Sequence, residues 1–457
     1  MGRAGTTVWD DDVSVMRFFP TGRTGAAGSL VPALALAVLA GVLAPAGCFS
    51  NTGGVKPSRT ELHFPTASAI SPGGRYLLVA NSNFDLAWEL GTLVLIDLDT
   101  VASMIAGCPD EGCEPFEQYS DFVVEDETVL IGSYASFMTL SPGGKRVYLT
   151  VRGTNSLTVV NLDEGGEAGH KLSCFSGGGD RRKCDGRHVI GRGDEVSLPS
   201  DPYAVNAELD GWVFVTHLTS NQVSVFRVDP SEDLSRDIPP ELLYVDTSFP
   251  ESISAIRRHP LMDLFYAPSR ATSSVSTFRF LWDAVDYENE PRIYYGPPIR
   301  MNEFYTGDDA RAIDFSRDGT QAFITNRSPN SVIIADVTPP SGGGWPTNEV
   351  VGVVPLDQGP SLVKAWQPEG TDTVYVYATC YNADRVYVID PFLRAKVDTI
   401  ATGDGPHVMV TDPFRNLGYI VNFIESTISV VDLDPSSPLF NRIRGTLGKP
   451  KQVRKND

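Results

Sequence analysis

Six histidines, five cysteines beyond residue 48 and two Asp-x-Asp motifs are the side chains in this 457-residue chain best suited to hold metal or move protons. Copper and haem-iron centres need three or more convergent donors. His63, His170, His188, His217, His259 and His407 are scattered, and only His170 and His188 share one segment. No Cys-x-x-Cys-His is present for a covalently attached c-type haem. No G-x-S-x-G nucleophile elbow occurs, and SGGGDRRK lacks the Gly-Lys-Ser/Thr that closes a phosphate-cradling loop. The residue types therefore predict no cofactor, no metal centre and no catalytic constellation. Asp97-Leu98-Asp99 and Asp432-Leu433-Asp434 each send two carboxylates to one side of a strand end. A turn-closing hydrogen bond is expected there ahead of calcium.

The cysteines point to an oxidising compartment. Cys108 and Cys113 flank PDEG, and Cys174 and Cys184 flank a Gly-rich loop, which predicts two local disulfides. A four-thiolate zinc site is the alternative, at spacings unlike the short knuckles such sites use. Cys380, within VYVYATC, is expected as a buried thiol. The N-terminus agrees: Leu30–Leu43 is an apolar run behind Arg17 and Arg23, as in an export signal. It ends in APAGC, which reads as lipidation of Cys48 or as cleavage after Ala44-Pro45-Ala46. A formal charge of −20 repels phosphate backbones and argues against nucleic acid as a partner.

The elements that must carry these residues form a repeat. SPGGRYLLVANSN (71–83) returns as SPGGKRVYLTVRGTN (141–155), and more distantly as SRDGTQAFITN (316–326). Seven copies alternate apolar and polar residues with the period of strands, at four strands per unit. Four-stranded units at roughly 40–50 residues are the form of a propeller blade. The chain then divides into a signal (1–47), a tether (48–60), an all-β seven-bladed propeller (61–449) and a tail (450–457). Copy four departs at His259-Pro260, where the others have Ser-Pro or its equivalent. Leu62-His63-Phe64 and Arg442–Leu447 are the two candidates to close the ring.

The phrases SPGGRYLLVANSN, SRDGTQAFITN and SNQVSVF resemble the YVTN-type β-propeller repeat. That resemblance implies seven blades and membership of an exported, cell-envelope group of proteins. It implies architecture and no particular chemistry.

Aligning the copies places one residue per blade at the axial entrance: Thr66, Ser136, Tyr203, Ser254, Arg311, Ser361 and His407. Hydroxyls, one cation and one imidazole suit a small polar or anionic ligand, with Arg311 as its anchor. The competing expectation is that these residues bond neighbouring turns. With no Asp or Glu in the ring, general-base catalysis would rest on His407 alone. Two inserts also stand out, an acidic one at 108–127 and a basic one at 170–192, on adjacent blades. They pair as a local cap or present a docking surface. The reading is of a monomeric, non-catalytic binding scaffold of the bacterial envelope, lipid-anchored or soluble in the periplasm. Its partner is a protein, a glycan or a small polar ligand. An axial-site lactonase or oxidoreductase is the alternative.

Overall fold

A computed structural model describes residues 54–451 except 167–168, 176–179, 192–195, 209–210, 237, 281, 288–289 and 296–297. The export signal, Cys48, most of the tether and tail residues 452–457 lie outside the described residues.

The second strand of each blade is almost wholly apolar, as in Tyr76–Asn81, Trp212–His217 and Leu417–Asn422, and each of these is buried along its length. A strand with both faces apolar must be covered on both sides, and radial packing of sheet against sheet does this. Seven sheets of antiparallel strands result, each built in chain order from the axis outward. The inner strands are Pro65–Ile70, Ala135–Leu140, Pro202–Glu208, Arg257–Arg258, Asp308–Phe315, Pro360–Trp366 and Pro406–Asp412. Outer strands such as Ala395–Ala401 alternate charged and small residues and are largely exposed, which blunts their free edges. Blade 4 carries an added hairpin, Trp282–Tyr287 with Glu290–Tyr295, before its outer strand.

The repeated SPGG phrase binds a carboxylate. Ser71 Oγ, Gly73 N and Arg75 N donate to Glu164 of the next blade at 2.7, 2.8 and 3.2 Å. Ser141 Oγ, Gly143 N and Lys145 N do the same to Glu232, at 2.7, 2.7 and 2.9 Å. The turn is a backbone nest for an anion. A Cβ on Gly143 would lie 2.9 Å from the Glu232 carboxyl carbon, while Gly144 turns the chain at φ +74°. Blade 4 solves the same joint differently. His259 takes the serine position, and its Nε2 lies 2.9 Å from Gly319 O and 3.1 Å from Val337 O of blade 5. This substitution is why the repeat faded there.

Ring closure uses no shared strand. Ile443–Leu447 is the outer strand of blade 7, itself wholly C-terminal, and Leu62-His63-Phe64 joins no sheet. The acidic insert of blade 1 makes the clasp instead. Asp97 caps the helix that leads into this insert, Leu98–Ala106, by accepting Thr100 N. Val101, Ile105 and Phe122 then pack with Tyr419, Val430 and Leu447 in one core. Phe116 N donates to Thr446 O, and Gly448 N to Phe116 O. Arg415 of blade 7 bonds Gly74 O of blade 1 at 2.7 Å and pairs with Asp99.

Both disulfides form, Cys108–Cys113 and Cys174–Cys184, and Cys380 is a buried free thiol whose pKa burial pushes up to about 12. Of the two Asp-x-Asp motifs, Asp432-Leu433-Asp434 closes turns, Asp432 accepting Asp434 N and Asp434 accepting Ser436 N, whereas Asp97 caps a helix and Asp99 pairs with Arg415. The oppositely charged inserts meet. Glu127 accepts Lys171 N and Leu172 N and faces Arg181 at 3.7 Å, while Leu130 N bonds Arg182 O.

Removing one carboxylate from its nest leaves three donors without their ion. Glu232→Ala is expected to cost about 2 kcal/mol, since hydrogen bonds to charged groups are worth more than neutral ones. A urea midpoint indistinguishable from the parent's would contradict the staple.

Candidate functional site

The axial entrance is built from the first residues of the seven inner strands, and hydrogen bonds between blades hold it. Near the end of the second strand, Thr150 donates to Tyr203 O of the next blade, and Thr379 to His407 O at 3.1 Å. Thr325 reaches Ser361 O at 3.5 Å. Strand register places Ala80, Pro268 and Val421 at that position in blades 1, 4 and 7. These three cannot donate. In those blades the entrance residue itself bonds the neighbour. Thr66 Oγ1 donates to Ala135 O and Ser254 Oγ to Ala310 O, both at 2.7–2.8 Å, and His407 Nδ1 lies 3.0 Å from Thr66 O. Thr66, Ser254 and His407 are thus engaged in the ring's own bonding.

The remaining entrance residues are Ser136, Tyr203, Arg311 and Ser361. Arg311 is 5% exposed and its Nη2 donates to Asp309 at 2.7 Å. Arg270 Nε donates to the other oxygen of Asp309 at 2.9 Å. Burial opposes ionisation of Asp309, yet the two guanidiniums hold its carboxyl below the usual range. Burial brings the Arg270 pKa down to about 10, and the positive charges of Arg311 and Arg327 push the same way. Arg327 Nε donates to Pro360 O at 3.0 Å and its Nη2 meets Ser361 Oγ at 3.3 Å. A fourth guanidinium, Arg152, pairs with Asp201 and lies 5.8 Å from the Tyr203 ring centroid.

Aromatic rings form the other side of the entrance. Phe137 lies 4.9 Å from Tyr203 and 6.4 Å from His407, reaching from blade 2 towards blades 3 and 7. Phe423 is 6.4 Å from His407 and contacts Phe64 in a tilted and Phe84 in an edge-on arrangement, at 5.3 and 5.4 Å. His407 stands between the two halves. With Nδ1–H donated to Thr66 O, its Nε2 is an acceptor. Burial lowers its pKa to about 4, and the charges of Arg327 and Arg311 add to the fall. The ring is neutral near pH 7, so it accepts a hydrogen bond and is a weak base.

Arg152, Arg270 and Arg327 were not among the residues singled out from the sequence. All three immediately follow or end the second strand, at the position of Ser82, Leu218, Tyr381 and Phe423 in the other blades. The same alignment, carried one strand further, contains them. The other histidines sit elsewhere: His217 bonds Ser224 and Ser200 within blade 3, and His188 pairs with Asp185 in the basic insert.

Below the entrance a cavity of about 580 Å³ follows the axis, lined by all seven inner strands. Arg311 belongs to both the entrance and this wall. At the far end Lys364 and Asp314 pair at 3.1 Å.

No protein-family model matches the chain, and no curated protein sequence matches it. Several solved structures align with it. Hydrazine synthase of Kuenenia stuttgartiensis aligns with a TM-score of 0.51 at 14% identity, over 84% of this chain and 99% of that one. A periplasmic gluconolactonase of Pseudomonas aeruginosa aligns at 0.48 and 17% identity, over 75% and 87%. A 6-phosphogluconolactonase-like protein of Bacteroides uniformis aligns at 0.45 and 16%, over 71% and 80%. Together with the seven sheets described above, the first of these likenesses establishes the architecture and nothing about chemistry.

His407 also predicts an acid response. Its folded pKa is below the ordinary value of 6.5, so its stabilising contribution is complete above pH 6.5 and is lost as pH falls towards 4. His407→Gln keeps an N–H for Thr66 O without titrating. Urea midpoints measured from pH 7 to pH 4 should fall less steeply in that variant. An unchanged slope would refute the buried neutral imidazole.

Proposed function

We propose that the protein is a binding scaffold whose axial entrance takes a small organic anion. The observation that carries this reading is the convergence of Arg270, Arg311 and Arg327 opposite Phe137 and Tyr203. Arg311 and Arg327 lie close enough to oppose the charge on Arg270, an added anion relieves that opposition, and Arg forks a carboxylate or phosphate better than any other side chain. The aromatic faces supply contact for the rest of the ligand, and His407 Nε2 accepts from one of its donors. A rigid ring of blades, bonded to each other at the entrance, pre-organises these groups and spares the ligand that cost.

The two formed disulfides support placing the protein in an oxidising compartment, as an envelope protein held by lipid on Cys48 or free in the periplasm. The charged inserts are read as a cap, because Glu127 and Arg181 face each other. A hydrolytic role for the entrance has one observation in its favour, the acceptor nitrogen of His407. Its low pKa makes it a poor base, so the binding reading is preferred.

Calorimetry with gluconate and with citrate tests the proposal. Arg327→Gln should weaken at least one of them about tenfold or more, the loss expected for a charged hydrogen bond. Equal affinity in parent and variant, or no affinity for any anion, would overturn it. Hydrolysis of a sugar lactone that disappears in His407→Gln would favour the enzyme instead.

A further inference from the structure

The position after the entrance residue is apolar in every blade: Ala67, Phe137, Ala204, Ala255, Ala312, Leu362 and Val408. All seven line the axial cavity. Below them the wall continues with Met138, Ile313, Val363 and Met409. Six of the seven inner strands have six to eight residues, which makes this bore roughly 20 Å long at about 3.3 Å per residue. Its volume of about 580 Å³ falls in the range that small-molecule pockets occupy.

We propose that the ligand is an amphiphilic carboxylate, with its head at Arg311 and its hydrocarbon body in this axial channel. The inference rests on the arginine entrance described above and adds what lies beneath it. Arg311 touches both compartments, so one residue marks where a charged head must give way to an apolar body. A polyhydroxylated acid would press its hydroxyls against alanine, valine and isoleucine, leaving them without partners at the usual desolvation cost. An alkyl chain matches the apolar ring just below the entrance, with Ser68, Arg257, Asp314, Lys364 and Thr411 completing the wall further on. Met138 and Met409 are unbranched and polarisable, which suits chains of differing length and bend. At the far end Lys364 pairs with Asp314, which also accepts Ala365 N at 2.9 Å, and Arg257 adds a second cation to the wall.

The test is a calorimetric series of butyrate, hexanoate, octanoate and decanoate, below their micelle concentrations, with gluconate and decanol as controls. Affinity should rise roughly fourfold per added methylene, as burial of each one predicts. Decanol, lacking the anion, should bind more weakly than decanoate. Ala204→Leu narrows the bore without touching the arginines; it should weaken decanoate about tenfold or more and leave gluconate as it was. Binding that ignores chain length would overturn the channel while leaving the entrance reading intact. A chain-length gain that survives Ala204→Leu would place the tail elsewhere and overturn it too. No binding of any carboxylate would remove both.

Discussion

One interaction recurs at the axis and the rest of the molecule depends on it: a side-chain N–H or O–H from one blade bonded to the first carbonyls of the next. Sheets packed face to face are held by the burial of apolar surface, which is strong but indifferent to small rotations. A hydrogen bond is directional, and each contributes about 1 kcal/mol. Placed at the inner edge, where the lever arm is shortest, these bonds fix how the entrance residues stand relative to each other. On the opposite face the SPGG nests grip Glu164 and Glu232 and do the same for the turns.

That constraint sorts the entrance residues by what their blade has lost. Blades 2, 3, 5 and 6 keep the strand-two threonine; in blades 2, 5 and 6 it bonds the next blade in place of Ser136, Arg311 and Ser361, whereas Thr216 of blade 3 accepts Ala204 N within its own blade. Blades 1, 4 and 7 lack it, and Thr66, Ser254 and His407 replace it. Arg270, Arg311 and Arg327 cluster on the arc of blades 4 and 5, while Arg152 of blade 2 stands beside Tyr203 among the aromatic rings. An asymmetric entrance on a pseudo-symmetric ring is what recognition of a two-sided ligand needs.

Much of this was legible in the residues. The period of the copies gave seven four-stranded blades, and the spacing of Cys108 to Cys113 and Cys174 to Cys184 gave both disulfides. The entrance positions followed from one alignment. What escaped depends on contacts between residues far apart in the chain. Nothing near Thr66 announces that Ala80 has left it a bonding duty, and nothing near Phe116 announces Thr446 as its partner. Arg270 and Arg327 lie at the ends of the second strands of copies four and five, and only the ring brings them to Arg311. Blade 4 faded because His259 performs the serine's task by donating to carbonyls, a replacement that no pattern of residue types encodes.

The central claim is that Arg311 joins an anion-binding entrance to an apolar axial channel. A crystal soaked with an alkanoate brominated at its terminal carbon tests it most directly. The account predicts carboxylate density at Arg311 and an anomalous bromine peak on the axis, among Val363, Met138 and Met409. A bromine peak off the axis, or a carboxylate away from the arginines, would contradict it.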